Sequence, residues 1–165
     1  MRSFVFCLFV VLCASCSSNH GRPIATLYYK KVEIAPSGNA YQISFTSDTE
    51  LLGLFKSKIG EGLVCALEDD LDFSVGHYIK RSGRGAVEFV KDSSDEHYVS
   101  TILFREAGEL QGKETILAGQ TLREILDKRE FMACTFRVHT TSYKTYFSNV
   151  MRVPTADLLR AATQE

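Results

Sequence analysis

The chain has 165 residues, with 19 Lys and Arg against 20 Asp and Glu. That charge balance, with basic residues never more than two in a row, argues against a nucleic-acid partner. No repeat and no low-complexity segment is present, and no apolar run is long enough to cross a bilayer.

Arg2, the uninterrupted apolar run Phe4 to Cys13 and the small residues Ala14 to Ser18 have the layout of a secretory signal peptide. A buried N-terminal helix is the other option, but a terminal helix apolar on every side would need burial all round. Cys13-Ala14-Ser15-Cys16 resembles a bacterial lipobox, in which small residues precede a cysteine that is lipidated and becomes the mature N-terminus. Cys13 stands where a leucine is usual. The resemblance implies a lipoprotein signal peptide over 1–15, a palmitate-bearing Cys16 and a tether over 16–23. Ser17, in place of an aspartate, implies outer-membrane sorting in a Gram-negative cell. The competing expectation is ordinary signal-peptidase cleavage after Ser17 or Ser18, which gives a soluble secreted protein.

Removal of the leader leaves about 145–150 residues, enough for one domain with a real core over 24–165. Of the five cysteines, Cys7 and Cys13 leave with the leader, and Cys16 is lipidated or removed. Cys65 and Cys134 remain as an even pair in an oxidising compartment, which predicts one disulfide rather than two buried thiols. Closing a loop of about 70 residues would stabilise the fold by roughly 4 kcal/mol on the chain-entropy treatment. No cysteine is left for a zinc site, and no cofactor is expected.

Ile24 to Ile34 is rich in β-branched and aromatic residues and predicts a strand. Ala35-Pro36-Ser37-Gly38 suits a type I turn, and Tyr41 to Thr46 alternates apolar with polar, so the two strands make a hairpin. Ser47 to Ile59 has Leu51, Leu52, Phe55 and Ile59 on one helical face. Ser47 with Glu50 forms a capping box there, and Gly60 offers a C-terminal cap. Further strands are expected at 63–67, 73–80, 86–91 and 97–105, with Arg81 to Gly85 as a hairpin turn and 106–114 as a loop. Thr121 and Glu124 form a second capping box, opening a two-turn helix with Leu122, Ile125 and Leu126 on its apolar face.

Met132, Cys134, Phe136 and Val138 alternate with Ala133, Thr135, Arg137 and His139, which places Cys134 on the apolar face of its strand. Thr140 to Lys144 turns the chain, Thr145 to Val153 returns as the partner strand, and Thr155 caps a tail helix to Ala162. About seven to nine short strands with frequent turns predict an all-β fold, a β-sandwich with one or two short helices and one disulfide. The immunoglobulin hallmarks are missing: there is no tryptophan and no tyrosine two residues before Cys134.

Searches for catalytic motifs return nothing. His20, His77, His97 and His139 have no metal-ligand spacing, and no G-x-S-x-G elbow occurs. Gly60-Glu61-Gly62 and Gly83-Arg84-Gly85 contain G-x-G without the rest of a dinucleotide fingerprint, and read as turns. Glu68-Asp69-Asp70-Leu71-Asp72 lacks the ligand spacing of an EF-hand and reads as a solvated loop or as an acidic surface for a basic partner. His139, Tyr143, Lys144 and Tyr146 fall at one hairpin end, where tyrosines and a mobile cation suit recognition and also suit ordinary edge positions. The candidate partner-binding residues are therefore Asp69, Asp70, Asp72, Tyr143 and Tyr146. A lipobox, a tether and one disulfide-stapled β-rich domain without a catalytic motif are similar in layout to the small periplasmic immunity lipoproteins that neutralise type VI secretion effectors. That resemblance implies a protein-binding module with a toxin as partner and the membrane reached through the lipid. The alternatives are an accessory subunit of an envelope assembly and a small envelope hydrolase built on converging histidines.

Overall fold

A computed structural model describes residues 21–91, 96–108 and 113–163. The leader over 1–15, Cys16 and most of the tether lie outside the described residues. In chain order the described elements are β1 (Leu27–Ile34), β2 (Tyr41–Ser47), β3 (Lys58–Ala66), β4 (Arg81–Gly85), β5 (Val87–Lys91), β6 (Glu96–Ala107) and β7 (Glu114–Ile116). They are followed by α1 (Gly119–Leu126), β8 (Phe131–Thr140), β9 (Thr145–Phe147), β10 (Met151–Pro154) and α2 (Thr155–Ala161). The fold is β-rich with two short helices and one disulfide, as expected.

The strands form one curled antiparallel sheet in the order β1-β2-β6-β4-β3-β8-β10. β6 is the strand that both halves share. Along one of its edges Arg81 pairs with Glu106, Arg84 with Leu103, Val87 with Ser100 and Lys91 with Glu96. The register never slips, so β4, Ala86 and β5 are one arm of a long hairpin whose other arm is β6. Along the opposite edge, β2 pairs with Tyr98 to Ile102 and β7 with Arg105 to Ala107.

Because every step of that path is antiparallel, β1 and β10 run in the same direction at its two ends. Backbone hydrogen bonds from Ile24 N to Phe147 O (2.9 Å) and from Asn149 N to Ala25 O (2.9 Å) join those ends. The halves thus close over one core, centred on the fully buried Phe45, Phe104 and Phe136, with Leu122 and Leu126 of α1 and Leu158 of α2 packed into it. Cys65 of β3 and Cys134 of β8 face each other directly in register, with Cα atoms 4.0 Å apart, and carry the disulfide.

Several local expectations give way. The β1–β2 turn forms as read, with Gly38 N donating to Ala35 O at 2.8 Å and Gly38 at φ 73°. Residues 48–57, expected as a helix, are turns and bends. Glu50 turns forward, both its carboxylate oxygens accepting from Gly53 N at 2.8 and 3.0 Å, and Leu51 N donates to the Tyr98 hydroxyl at 3.0 Å. Once Leu51 is fully buried by these contacts, the segment has no use for a continuous helical face. Gly60 is no helix cap but part of β3, at a register shift beside Lys58.

The segment 73–80 is not a strand, and Arg81 to Gly85 is not a turn but β4 itself. A Cβ on Gly83 would lie 2.4 Å from Ile102 Cγ2 and 2.7 Å from Phe104 Cδ1, so only glycine lets β4 lie this close to the core. Thr121 lies inside α1, whose N-cap is Ala118 with no side-chain cap. Thr155 does not cap α2 either; its hydroxyl donates to the Arg129 carbonyl instead. The expected strand 145–153 divides into β9 and β10, because Ser148 puts its Oγ where a backbone acceptor would stand, 2.9 Å from Phe136 N.

Candidate functional site

The acidic loop follows β3, and its carboxylates are turned onto their own loop. Asp70 Oδ1 accepts from Asp72 N at 3.0 Å, and Asp72 Oδ1 accepts from Ser74 N at 2.9 Å. These are the local side-chain-to-backbone bonds for which aspartate is favoured in turns. His77 then closes the loop, with Nε2 2.5 Å from Asp70 Oδ2 and Nδ1 3.6 Å from Asp72 Oδ2. The bond to Asp70 raises the His77 pKa. That of Asp70 is lowered, first by the Asp72 amide and then by His77, while Asp72 is lowered first by Ser74. Asp69 points away and meets Arg129 at 2.7 Å. His77 and Arg129 are the partners that sequence reasoning missed: His77 lies later in the same loop, seven residues after Asp70, and Arg129 is 60 residues from Asp69.

Tyr143 and Tyr146 sit on the β8–β9 hairpin, at the opposite end of β8 from Arg129 and the acidic loop. A ten-residue strand separates the two surfaces by about 30 Å. The hairpin turn is held by Tyr143 N donating to Thr140 O and Thr140 N donating to Lys144 O, both at 3.0 Å. This is a three-residue loop of the type I plus bulge kind, in which the last loop residue adopts the left-handed conformation. Tyrosine occupies that position, at φ 59°, and its side chain is 82% exposed. Tyr146 differs: it packs on Phe55 with ring centroids 4.5 Å apart. The structure therefore presents one tyrosine and uses the other as a support.

His77, His97 and His139 lie on the acidic loop, at the start of β6 and late on β8. Among the described residues no group of three or more His, Cys, Asp or Glu side chains is placed to hold a metal ion. Sequence reasoning also missed what the two G-x-G segments do. Gly60-Glu61-Gly62 lies in β3 and Gly83-Arg84-Gly85 in β4, on neighbouring strands. They open a groove of about 380 Å³ bordered by Arg84, Arg137 and His139. The available signal was the outward alternation of Arg137 and His139 along β8.

Set against known proteins, the chain matches no family model, no curated protein and no solved structure.

Proposed function

We propose that this chain is exported, lipidated at Cys16 and held at the periplasmic face of the outer membrane. There it acts as a protein-binding module that neutralises a secreted toxin by occlusion. The observation that carries the binding reading is Tyr143, a large aromatic side chain left exposed on a backbone conformation that costs energy for any residue but glycine. Outliers of this kind persist where the surroundings enforce them, and they concentrate at ligand clamps and binding loops. A rigid aromatic at a hairpin tip is also the type of anchor that dominates protein interfaces. The Cys65–Cys134 bridge suits an oxidising compartment.

The protein should take up labelled palmitate, and Cys16→Ser should not. Expressed in the periplasm of a sensitive cell, it should protect against a toxin encoded beside it, and Tyr143→Ala should weaken that protection by speeding dissociation. A lipid-free wild type beginning at Ser17 or later would end the lipoprotein reading. A purified domain that cleaves an envelope substrate, and loses that activity with His77, His97 or His139, would replace the binding reading with the hydrolase.

A further inference from the structure

We propose that the groove on the outer face of the sheet, between Arg84, Arg137 and His139, binds an oxyanion: the phosphate or carboxylate group of a small ligand. The groove exists because of glycine. Gly60, Gly62 and Gly85 lie along it, and no side chain can be added to two of them: a Cβ on Gly62 would stand 2.6 Å from Gly85 O, and one on Gly85 would stand 2.2 Å from Thr101 O. The register then aligns what borders it. Gly62 pairs with Arg137 and Gly60 with His139 across β3 and β8, and Val64 pairs with Arg84 across β3 and β4. Ala86, which is exposed, and the small accessible edge of Val64 supply apolar surface for the body of a ligand.

The charges point the same way. Every other arginine among the described residues is engaged. Arg81 meets Glu106, Arg105 meets Glu114, Arg129 meets Asp69 and Arg160 meets Asp157. Arg123 donates to the Ala162 carbonyl, Arg152 lies over the Phe131 ring, and Arg22 has an interaction of its own. The side chains of Arg84 and Arg137 have no hydrogen bond or ion pair among the described residues, although their strands bring them to one groove. The acid on the groove wall, Glu61, is taken by Lys58. Arg137 is part-buried, and its pKa is lowered first by burial and then by Arg84. His139 is lowered by burial first, then by Arg137 and by Arg84. Its Nδ1 is 2.8 Å from the Thr145 hydroxyl, which leaves Nε2 for a ligand.

Two guanidinium forks and an imidazole are donors suited to phosphate or carboxylate oxygens, and a bound oxyanion offsets the repulsion between the two guanidiniums and favours the protonated imidazole. The site is separate from the exposed Tyr143 ring and stands or falls without it.

The test is an NMR titration of the His139 imidazole in the folded domain, with inorganic phosphate in one arm and acetate in the other. Ionic strength is held constant with chloride. A saturable shift is expected, accompanied by a rise in the His139 pKa. A response to phosphate alone assigns a phosphate ligand, to acetate alone a carboxylate, and to both the shared chemistry. Arg84→Gln with Arg137→Gln should weaken binding about tenfold or more. Arg84→Gln alone, an exposed change, should weaken it measurably and serves if the double variant does not fold. The proposal is overturned if neither anion moves His139 beyond the chloride control, or if the glutamine variants respond like the wild type.

Discussion

At the scale of single residues, Tyr143 is where the chain departs furthest from what its local structure prefers. The left-handed conformation costs a non-glycine residue roughly 1–2 kcal/mol, and glycine loses roughly 0.5–1 kcal/mol more conformational entropy on folding than alanine. The strain outweighs the entropy, so Tyr143→Gly should stabilise the fold by about 0.5–1 kcal/mol while impairing partner binding. Urea unfolding checks the first part: the midpoint should rise with an unchanged slope. A lower midpoint would mean that the exposed ring contributes to the fold itself.

His77 gives the second residue-scale expectation. Its folded pKa is raised by Asp70, so its contribution is complete below the ordinary value near 6.5 and is lost as pH rises through the raised value. Asp70 and Asp72 are lowered, so theirs is complete above the ordinary carboxylate range and is lost as pH falls through the lowered values. The loop is therefore most cohesive in mild acid. The imidazole resonances of His77 should titrate with a midpoint above 6.5, and Asp70→Asn should bring that midpoint down. A midpoint that does not respond to Asp70→Asn would contradict the pairing.

At the scale of elements, legibility followed side-chain pattern. The β1–β2 hairpin was readable because Tyr41, Ile43 and Phe45 alternate without a fault and all three reach the core. β8 was readable for the same reason, through Met132 to Val138. β4 was not, since Arg-Ser-Gly-Arg-Gly has no apolar alternation and its place depends on what glycine lacks. A Gly83→Ala substitution should therefore be destabilising. Overpacking of about 1–3 kcal/mol exceeds the roughly 0.4–1 kcal/mol gained by stiffening the unfolded chain. A urea midpoint equal to or above that of the wild type would show that β4 sits further from Ile102 and Phe104 than described.

The disulfide joins two strands that already pair in register, so its loss leaves the ladder's hydrogen bonds in place but frees the unfolded chain. Removing it by Cys65→Ala with Cys134→Ala should cost about 2–5 kcal/mol. A reduced sample should migrate more slowly than an oxidised one on a denaturing gel. Two alkylatable thiols in the natively prepared protein would rule the bridge out.

At the scale of the whole molecule, the closed curl explains why the candidate surfaces fall where they do. One end of β8 carries Arg129 and the acidic loop, and the other carries the Tyr143 hairpin. The chain joins the sheet at Ile24, hydrogen-bonded to Phe147 on the second arm of that same hairpin. On the proposed anchoring at Cys16, the residues up to Ile24 would span at most about 29 Å, which would hold the exposed tyrosine close to the membrane. Strand content and the cysteine pair were legible from pattern and parity. The groove was not, since it depends on residues brought together only by strand order. Nor was the pairing of His77 with Asp70 and Asp72, since it depends on how one irregular loop folds back on itself.

The most direct measurement of the binding reading is photocrosslinking from the native surface. A photoreactive phenylalanine analogue at position 143 tests the tip, and the same analogue at position 28, another exposed tyrosine on β1, serves as the control. In cells carrying the protein and its chromosomal neighbours, the expected result is one discrete protein adduct from position 143, absent from position 28. No adduct from position 143, or the same adducts from both positions, would contradict a binding module that works through this hairpin.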